Sequence, residues 1–539
     1  MMQTRDELRS FPAPPGIDGV PSSHDSTVEE IAEQLSAAIE HRDWRSAVGL
    51  LGLHWSALLD EPGELLDDAL RAVPLRAFEH DARAAAVRDI RLHTSADAVD
   101  HMLGDVVVPD AGDLVALEAI ARSDRALSLL SVVSARMIAL RVRGRLARAI
   151  RLAELVERFG RIAVVHQPAL VTARLPAALL QAGITRGLAD DLPGAMLSLR
   201  DAYERGPTAR VTYVEADAAG KSAFFSVLAG DVDQARRWVE RYDRSPGADG
   251  WFASRIALTA DLARTLIAIE SLERDVVEEL LPGLDQPVNA EQSWGPGVTF
   301  ARARAALAWG DRLSAIDMVR RDRARYADWL GESSVLDPLL EQAEVELLLS
   351  VGQPQKAAQV AASDGMQPAG VIARARIELV DGSFELAARH AASVLAQPLS
   401  PRSRADALAI LAPAQLRLSD RRAALQSAAH LRDAIGGSGL RLAGLSVPAQ
   451  ERRLLDLEVV EDAHGARDAF TIIEQPIRIT PQQRIVLQGF EKGWSLREIA
   501  TSAHLSLNTM KTHARGLYQR LGVTNRDEAL ARAYDAGLL

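Results

Sequence analysis

A turn-type residue followed five positions later by alanine recurs along most of this chain, and that recurrence limits the fold more than any other feature. The pairs are Arg42/Ala47, Gly144/Ala149, Asp190/Ala195, Gly230/Ala235, Gly310/Ala315, Gly352/Ala357, Gly382/Ala387 and Ser419/Ala424. From Gly144 the spacings are 46, 40, 80, 42, 30 and 37, and the 80 reads as two units with a degenerate copy between them. Glycine tolerates the left-handed conformation that ends a helix. A small residue shortly afterwards lets a second helix cross the first closely. Between Val28 and Ile435 helical patterns follow one another almost without a strand-like run. No such helical pair buries its apolar face alone, so stacked neighbours are expected to complete a shared core.

The pattern resembles a degenerate tetratricopeptide array over residues 27–435. The spacing wanders around the usual ~34 residues, and the family's aromatic and proline positions are mostly missing. A generic all-helical domain with Gly-Asp loops is the alternative. At 539 residues the chain is too long for one compact domain. Residues 1–26, rich in proline, glycine and serine, read as a disordered arm. The array is expected to end at Ile435, before the flexible run Gly436-Gly437-Ser438-Gly439. Residues 436–475 read as a helix, Pro448 to about Asp462, then a linker ending in an extended segment, Phe470 to Ile479.

The final segment, 476–539, has a different logic. Four helix starts follow in succession. Thr480-Pro481-Gln482-Gln483 and Ser495-Leu496-Arg497-Glu498 are capping boxes, and Ser506 and Thr524 read as further N-caps. Gly493, Gly522 and Gly537 fall where helices should stop. The third helix, about 507–521, is two-faced. Met510, Ala514, Leu517 and Leu521 form an apolar stripe, expected to pack on Val486, Leu487, Phe490, Ile499 and Ala500. Asn508, Lys511, Thr512, Arg515 and Gln519 share another face. A helix fits the major groove, where Lys or Arg donates to guanine and Asn pairs with adenine. Charge agrees: residues 476–539 hold nine Lys/Arg and five Asp/Glu, a net of +4, leaving 53 basic and 68 acidic residues, a net of −15, on the rest.

The stretch from Ile479 to Leu530 resembles the DNA-binding domain of LuxR-family regulators. The pieces that carry the resemblance are Thr480-Pro481, the Gly493 turn, Glu498-Ile499-Ala500, Ser506, Thr509-Met510-Lys511-Thr512-His513, Leu521-Gly522-Val523 and Arg526. Gln483 and Ile485 stand where that family usually has acidic residues. The resemblance implies an all-α chain, a tetratricopeptide-like helical-repeat solenoid followed by a four-helix LuxR-type helix-turn-helix domain. It implies that Lys511, Thr512 and Arg515 face base edges, while Ser506 and Thr509 lie near phosphates, where free N–H groups favour an anion. Asn508 contributes on the same face, and His513 positions the backbone or a phosphate. The implied partner is double-stranded DNA, bound as a homodimer through the last helix at half-sites about 10 base pairs apart. An unidentified effector or protein is expected at the helical repeats.

Other chemistries are weakly represented. There is no cysteine, which excludes disulfides, thiol catalysis and Cys-ligated zinc. No metal-ligand spacing, cofactor motif or nucleophile–base set is readable. Gly220-Lys221-Ser222 mimics the end of a phosphate loop, but Glu215 stands where its first glycine belongs, so a repeat helix is the better reading. The chain thus resembles the C-terminal half of large ATP-binding LuxR regulators without the ATPase. No receiver domain is apparent. Met1–Pro15 has no apolar core of a secretory signal, and Ala126–Leu140 is too short and interrupted to span a bilayer, so a cytoplasmic protein is expected. Paired acids such as Asp67-Asp68 and Glu278-Glu279 read as solvated helix faces. The competing readings are a protein-interaction scaffold whose tail does not read DNA, and an enzyme hidden in the helical body.

Overall fold

The structure, a computed structural model, describes residues 28–58, 65–80, 84, 88, 108–209, 212–246, 253–285, 294–331, 334–361, 367–457, 465–470, 472, 479–521, 523–535 and 538–539. The arm expected over 1–26, most of the extended segment before Thr480, and Gly522 and Gly537 lie outside them. Among the described residues there is no strand; the chain is all-α. It separates into two compact units, 1–471 and 472–539.

In the first unit the recurring pairs make helical hairpins. Arg42, Gly144, Asp190, Gly230, Gly352, Gly382 and Ser419 all have φ between 54° and 88°. At each, the next backbone N–H reaches back to a carbonyl of the finished helix at 2.8–3.0 Å, as Arg145 does to Leu140 and Asp231 to Ser226. These bonds satisfy carbonyls that a helix end leaves without partners. An aspartate commonly stands next. Asp231, Asp311 and Asp420 accept from N–H groups in the first turn of the following helix. The alanine four residues later is buried in every pair, because the second helix crosses the first there.

The wide gap between Gly230 and Gly310 is filled by Leu272. Its φ is 61°, Glu273 N–H reaches Ala268 O at 2.9 Å, and Val277, five residues on, is buried. A branched residue in the left-handed region is costly, which is why the letters gave no sign of the turn. Gly310 departs the other way. It is not left-handed, and a Cβ there would sit 2.8 Å from the Ala306 Cα. Its helix end is capped by arginines instead: Arg467 donates to Trp309 O and Gly310 O at 3.0 and 2.8 Å, and Arg312 to Leu307 O at 2.8 Å.

A stacked array whose units touch only sequence neighbours stays open. In this body, bonds between distant segments are added to those between sequence neighbours. Trp329 Nε1 donates to Arg141 O at 3.2 Å, Val335 N to Leu188 O at 3.0 Å, and Arg402 Nε to Leu228 O at 3.0 Å. Each of these caps a carbonyl within three residues of an early turn. A Cβ at Gly144 would lie 2.6 Å from the Trp329 Cα, and one at Gly230 the same distance from the Arg402 nitrogen. Glycine at these two turns therefore serves both the backbone angle and the close approach of a distant segment.

The late segments are held by a buried polar network. Glu270, fully buried, accepts from Arg402 at 2.7 Å and from Arg304 at 3.1 Å. Arg304 also reaches Glu346 at 2.9 Å, Gln342 bridges Glu346 and Asp406 at 3.0 and 2.9 Å, and Arg376 meets Asp406 at 3.3 Å. Three guanidiniums and three carboxylates balance. Burial alone would push the Glu270 carboxyl up, but Arg304 and Arg402 outweigh it and hold the group below its ordinary range.

Other expectations also change. The helix Arg421–Ser438 runs straight through Gly436 and Gly437 and ends at left-handed Gly439, so no flexible run follows Ile435. The helix expected from Pro448 forms as Ala449–Leu454 and stops before left-handed Asp456, residues 458–462 lying outside the described ones, and a further short helix, Arg441–Leu445, precedes it. The segment read as linker is docked: Arg467 N bonds Ala308 O at 2.9 Å, and Phe470 lies buried under the Arg376 guanidinium. Asp67 is buried, not solvated. Lys221 is buried inside the helix Thr212–Ala229, bonded to Asp217 and Thr259 and set over the Trp294 ring, which accounts for the phosphate-loop mimic structurally. No described helix is long and apolar enough to cross a membrane.

Candidate nucleic-acid interface

The second unit builds its site from local signals. Its first helix, Pro481–Glu491, opens with Thr480 and Gln483 closing a capping box at 3.2 and 2.9 Å. The second, Leu496–Ser502, does the same with Ser495 and Glu498 at 3.4 and 2.7 Å. Both boxes place two otherwise unpaired N–H groups. The Glu498 carboxyl is held below its ordinary value chiefly by the Ser495 backbone N–H. After His504, left-handed at φ 55°, the chain turns sharply, with Leu505 N bonded to Ala500 O at 3.0 Å. Ser506 Oγ then accepts from Thr509 N at 3.1 Å and starts the third helix, Leu507–Leu521.

The third helix is anchored from behind. Met510, Ala514, Leu517 and Leu521 are buried in one cluster with Val486, Leu487, Phe490, Ile499 and Ala500. Glycines set the helix spacing. Gly489 faces the Ile499 side chain with no room for a Cβ, and a Cβ at Gly516 would stand 3.1 Å from Gln483 Nε2. Gly516 is thus where the third helix passes the first. Arg526, one of the residues that carry the resemblance, adds a tie whose partners the sequence does not name. It donates to Trp494 O at 3.2 Å and to Phe490 O at 2.5 Å, with its guanidinium over the Phe490 ring. It closes the C-terminal end of the first helix; the resemblance marked the residue without giving its partners.

The opposite face of the third helix is polar and open. Ser506, Asn508, Thr509, Lys511, Thr512, Arg515 and Gln519 are exposed, and His513 is half-buried. Thr512 Oγ1 is turned back onto Asn508 O at 3.0 Å, and Thr509 shares a hydroxyl bond with Ser506 at 2.8 Å. Lys511 and Arg515 form no ion pair among the described residues. All seven residues expected to meet DNA therefore lie on or beside one helix, with the two cations one turn apart.

The fourth helix, Arg526–Asp535, is capped one residue later than expected. Asn525 Oδ1, not Thr524, accepts from Glu528 N at 2.9 Å, while Thr524 N donates to Glu528 Oε2 at 2.8 Å. Thr524 is displaced from the cap because the Glu528 side chain folds back to take its N–H, depressing the Glu528 carboxyl. Ala529 and Ala533 face the core, whereas Tyr534 is exposed and bonded to Glu491 at 3.1 Å. Ile485, on the first helix, is exposed.

Among the described residues no group of three or more side chains is suited to holding a metal ion. Residues 478–533 match the family described as bacterial regulatory proteins, luxR family. The chain is also 40% identical over 53 residues to the probable transcriptional regulatory protein SgaR of Hyphomicrobium methylovorum, a match covering 10% of this chain and 25% of that protein. The chain thus spans about a quarter of that relative's length. It carries a LuxR-family helix-turn-helix domain at its C-terminal end. A domain of this kind points to a DNA-binding regulator and not to an enzyme.

Proposed function

We propose that this chain is a sequence-specific DNA-binding transcriptional regulator whose third tail helix, 507–521, enters the major groove. The observation that carries the reading is the division of that helix: four apolar residues locked into a core, and Lys511, Thr512 and Arg515 exposed together on the other side. Lys511 and Arg515 donate to base edges, with Thr512 between them and Asn508 one turn earlier. Ser506 and Thr509, at the helix start, hold a phosphate where free N–H groups converge, and His513 sits close enough to position the backbone. Two copies pair through the last helix, whose exposed Tyr534 lies opposite the inward Ala529 and Ala533. That arrangement reads half-sites about one duplex turn apart. The helical body senses an effector or docks a partner, and the protein works in the cytoplasm where its DNA is.

The test is binding by the whole chain to fragments it selects from a genomic library. Lys511→Ala with Arg515→Ala weakens binding by about 1–3 kcal/mol per lost base contact and relaxes specificity. Unchanged affinity and unchanged selected sequences would sink the proposal and favour a protein-interaction scaffold. Control by the body fails if the whole chain and residues 472–539 bind the same DNA equally under every condition tried.

A further inference from the structure

Within the helical body a cleft of about 330 Å³ opens where three distant pieces meet. They are the start of the helix Val232–Arg244, the turn after Glu270, and the end of the helix Arg421–Ser438. Its charges are unevenly matched. Arg236 is fully engaged, donating to Ser271 Oγ at 2.6 Å and to Glu273 at 3.2 Å, with Asp233 3.7 Å away. Both acids of the cleft therefore serve one arginine. Arg432 donates to the carbonyls of Leu455 and Asp456 at 3.2 and 2.8 Å, and the exposed Arg441 guanidinium has no hydrogen bond among the described residues. Neither meets a carboxylate among the described residues.

The cleft wall is open at Gly436. Gly436 lies inside a helix, where glycine costs about 1 kcal/mol relative to alanine. Helix glycines such as Gly183 and Gly489 are explained by a side chain pressed against them, Leu199 and Ile499. A Cβ at Gly436 would meet nothing within 4 Å. Gly436 is exposed, as is Gly437 beside it, and at Gly436 the open space belongs to the cleft.

We propose that this cleft binds a small organic anion, a carboxylate- or phosphate-bearing metabolite, with Arg441 and Arg432 taking its charge against the open wall at Gly436. The volume suits a ligand of that size. The ligand joins segments about two hundred residues apart, since a Cβ at Gly439 would lie 3.0 Å from the Val232 Cβ. Binding thereby favours the closed body by mass action. Binding itself stands on the cleft; that it controls DNA affinity rests on the regulatory reading above.

The experiment uses the full chain at constant ionic strength, with inorganic phosphate, succinate and ribose 5-phosphate as probes and sodium chloride as the control. At least one organic probe raises the melting temperature by about 2 °C or more at saturation. Its half-saturating concentration rises about tenfold in Gly436→Leu, which fills the cleft, and in Arg441→Gln, which removes the unpaired cation. Arg441→Gln alone decides if Gly436→Leu does not fold. Response to phosphate but not to succinate assigns the phosphate chemistry, and the reverse assigns the carboxylate. No response to any probe, or an equal response of both variants and the parent, overturns the proposal. Probe binding with DNA affinity unchanged leaves the cleft assigned and overturns its control of the tail.

Discussion

The two units of this chain hold themselves together by opposite means. The tail of 472–539 is specified by neighbours in sequence: two capping boxes, a serine cap, an asparagine cap and a cluster of eleven buried side chains. The helical body also has local turns, but its closure depends on residues 132 to 188 positions apart, such as Arg402 with Glu270 and Trp329 with Arg141. Short-range devices can be replaced one at a time at modest cost. A shared buried network cannot, because removing one charge strands its partners in a medium of low polarizability.

That contrast can be broken or sharpened by substitution. The largest effect is expected from Glu270→Ala, which takes the anion from the buried Arg402 guanidinium and leaves Arg304 with Glu346 alone. It costs about 3–5 kcal/mol, read as a lower melting temperature of the full chain. A Glu270→Ala body as stable as the parent would show that the carbonyl caps close it unaided. In the tail, Leu517→Ala empties the fully buried anchor of the third helix and costs about 2–5 kcal/mol, measured by urea unfolding of 472–539. Arg526→Met removes the bonds to Phe490 O and Trp494 O. A loss of about 1–3 kcal/mol in the same assay is expected, with backbone amide exchange quickening at the end of the first helix. Ser495→Ala costs about 1 kcal/mol; no change would mean that Glu498 alone suffices at that helix start.

The smallest effect is one of pH. Glu498 and Glu528 both have carboxyls held below the ordinary value of 4.5 by backbone N–H groups at helix starts. A lowered folded-state value means the stabilisation is present above pH 4.5 and lost as pH falls through the folded value. Tail stability should decline slightly between about pH 5 and pH 3, and the decline should shrink in Glu498→Gln. An identical profile in that variant would remove these boxes from the acid response.

What was legible in the sequence follows the same division. The tail's caps, stripe and core could be read because each is set by residues within a few positions of one another. The one displaced cap, Asn525 for Thr524, is a shift of a single residue within such a window. In the body, hairpin turns were legible wherever glycine, aspartate, arginine or serine occupied the left-handed position. Leu272 concealed one because its letter signals a core residue, and Gly310 suggested a backbone angle it does not adopt because distant arginines cap that helix. Gly436 and Gly437 looked like a loop, although helix continues through them to Gly439. Least legible was the network of Glu270, Arg304, Glu346, Arg376, Asp406 and Arg402. Charged residues ordinarily mark solvent-facing positions, and nothing in a linear string states which distant opposite charge will neutralise them. The seven DNA-facing candidates were read from one helix; their role awaits the binding test.

The carbonyl caps taken from far along the chain also impose an order of assembly. A ribosome releases the hairpins around Gly144, Asp190 and Gly230 long before it makes Trp329, Val335 and Arg402. Until then those helix ends have only their local turn bonds and water, without the caps from Trp329, Val335 and Arg402. The last of these caps cannot form until Arg402 has been made, so the body is complete only late in synthesis. A chain stopped before Arg402 would lack the cap on Leu228 O and leave buried Glu270 with Arg304 alone, and is expected to be less stable than the whole body.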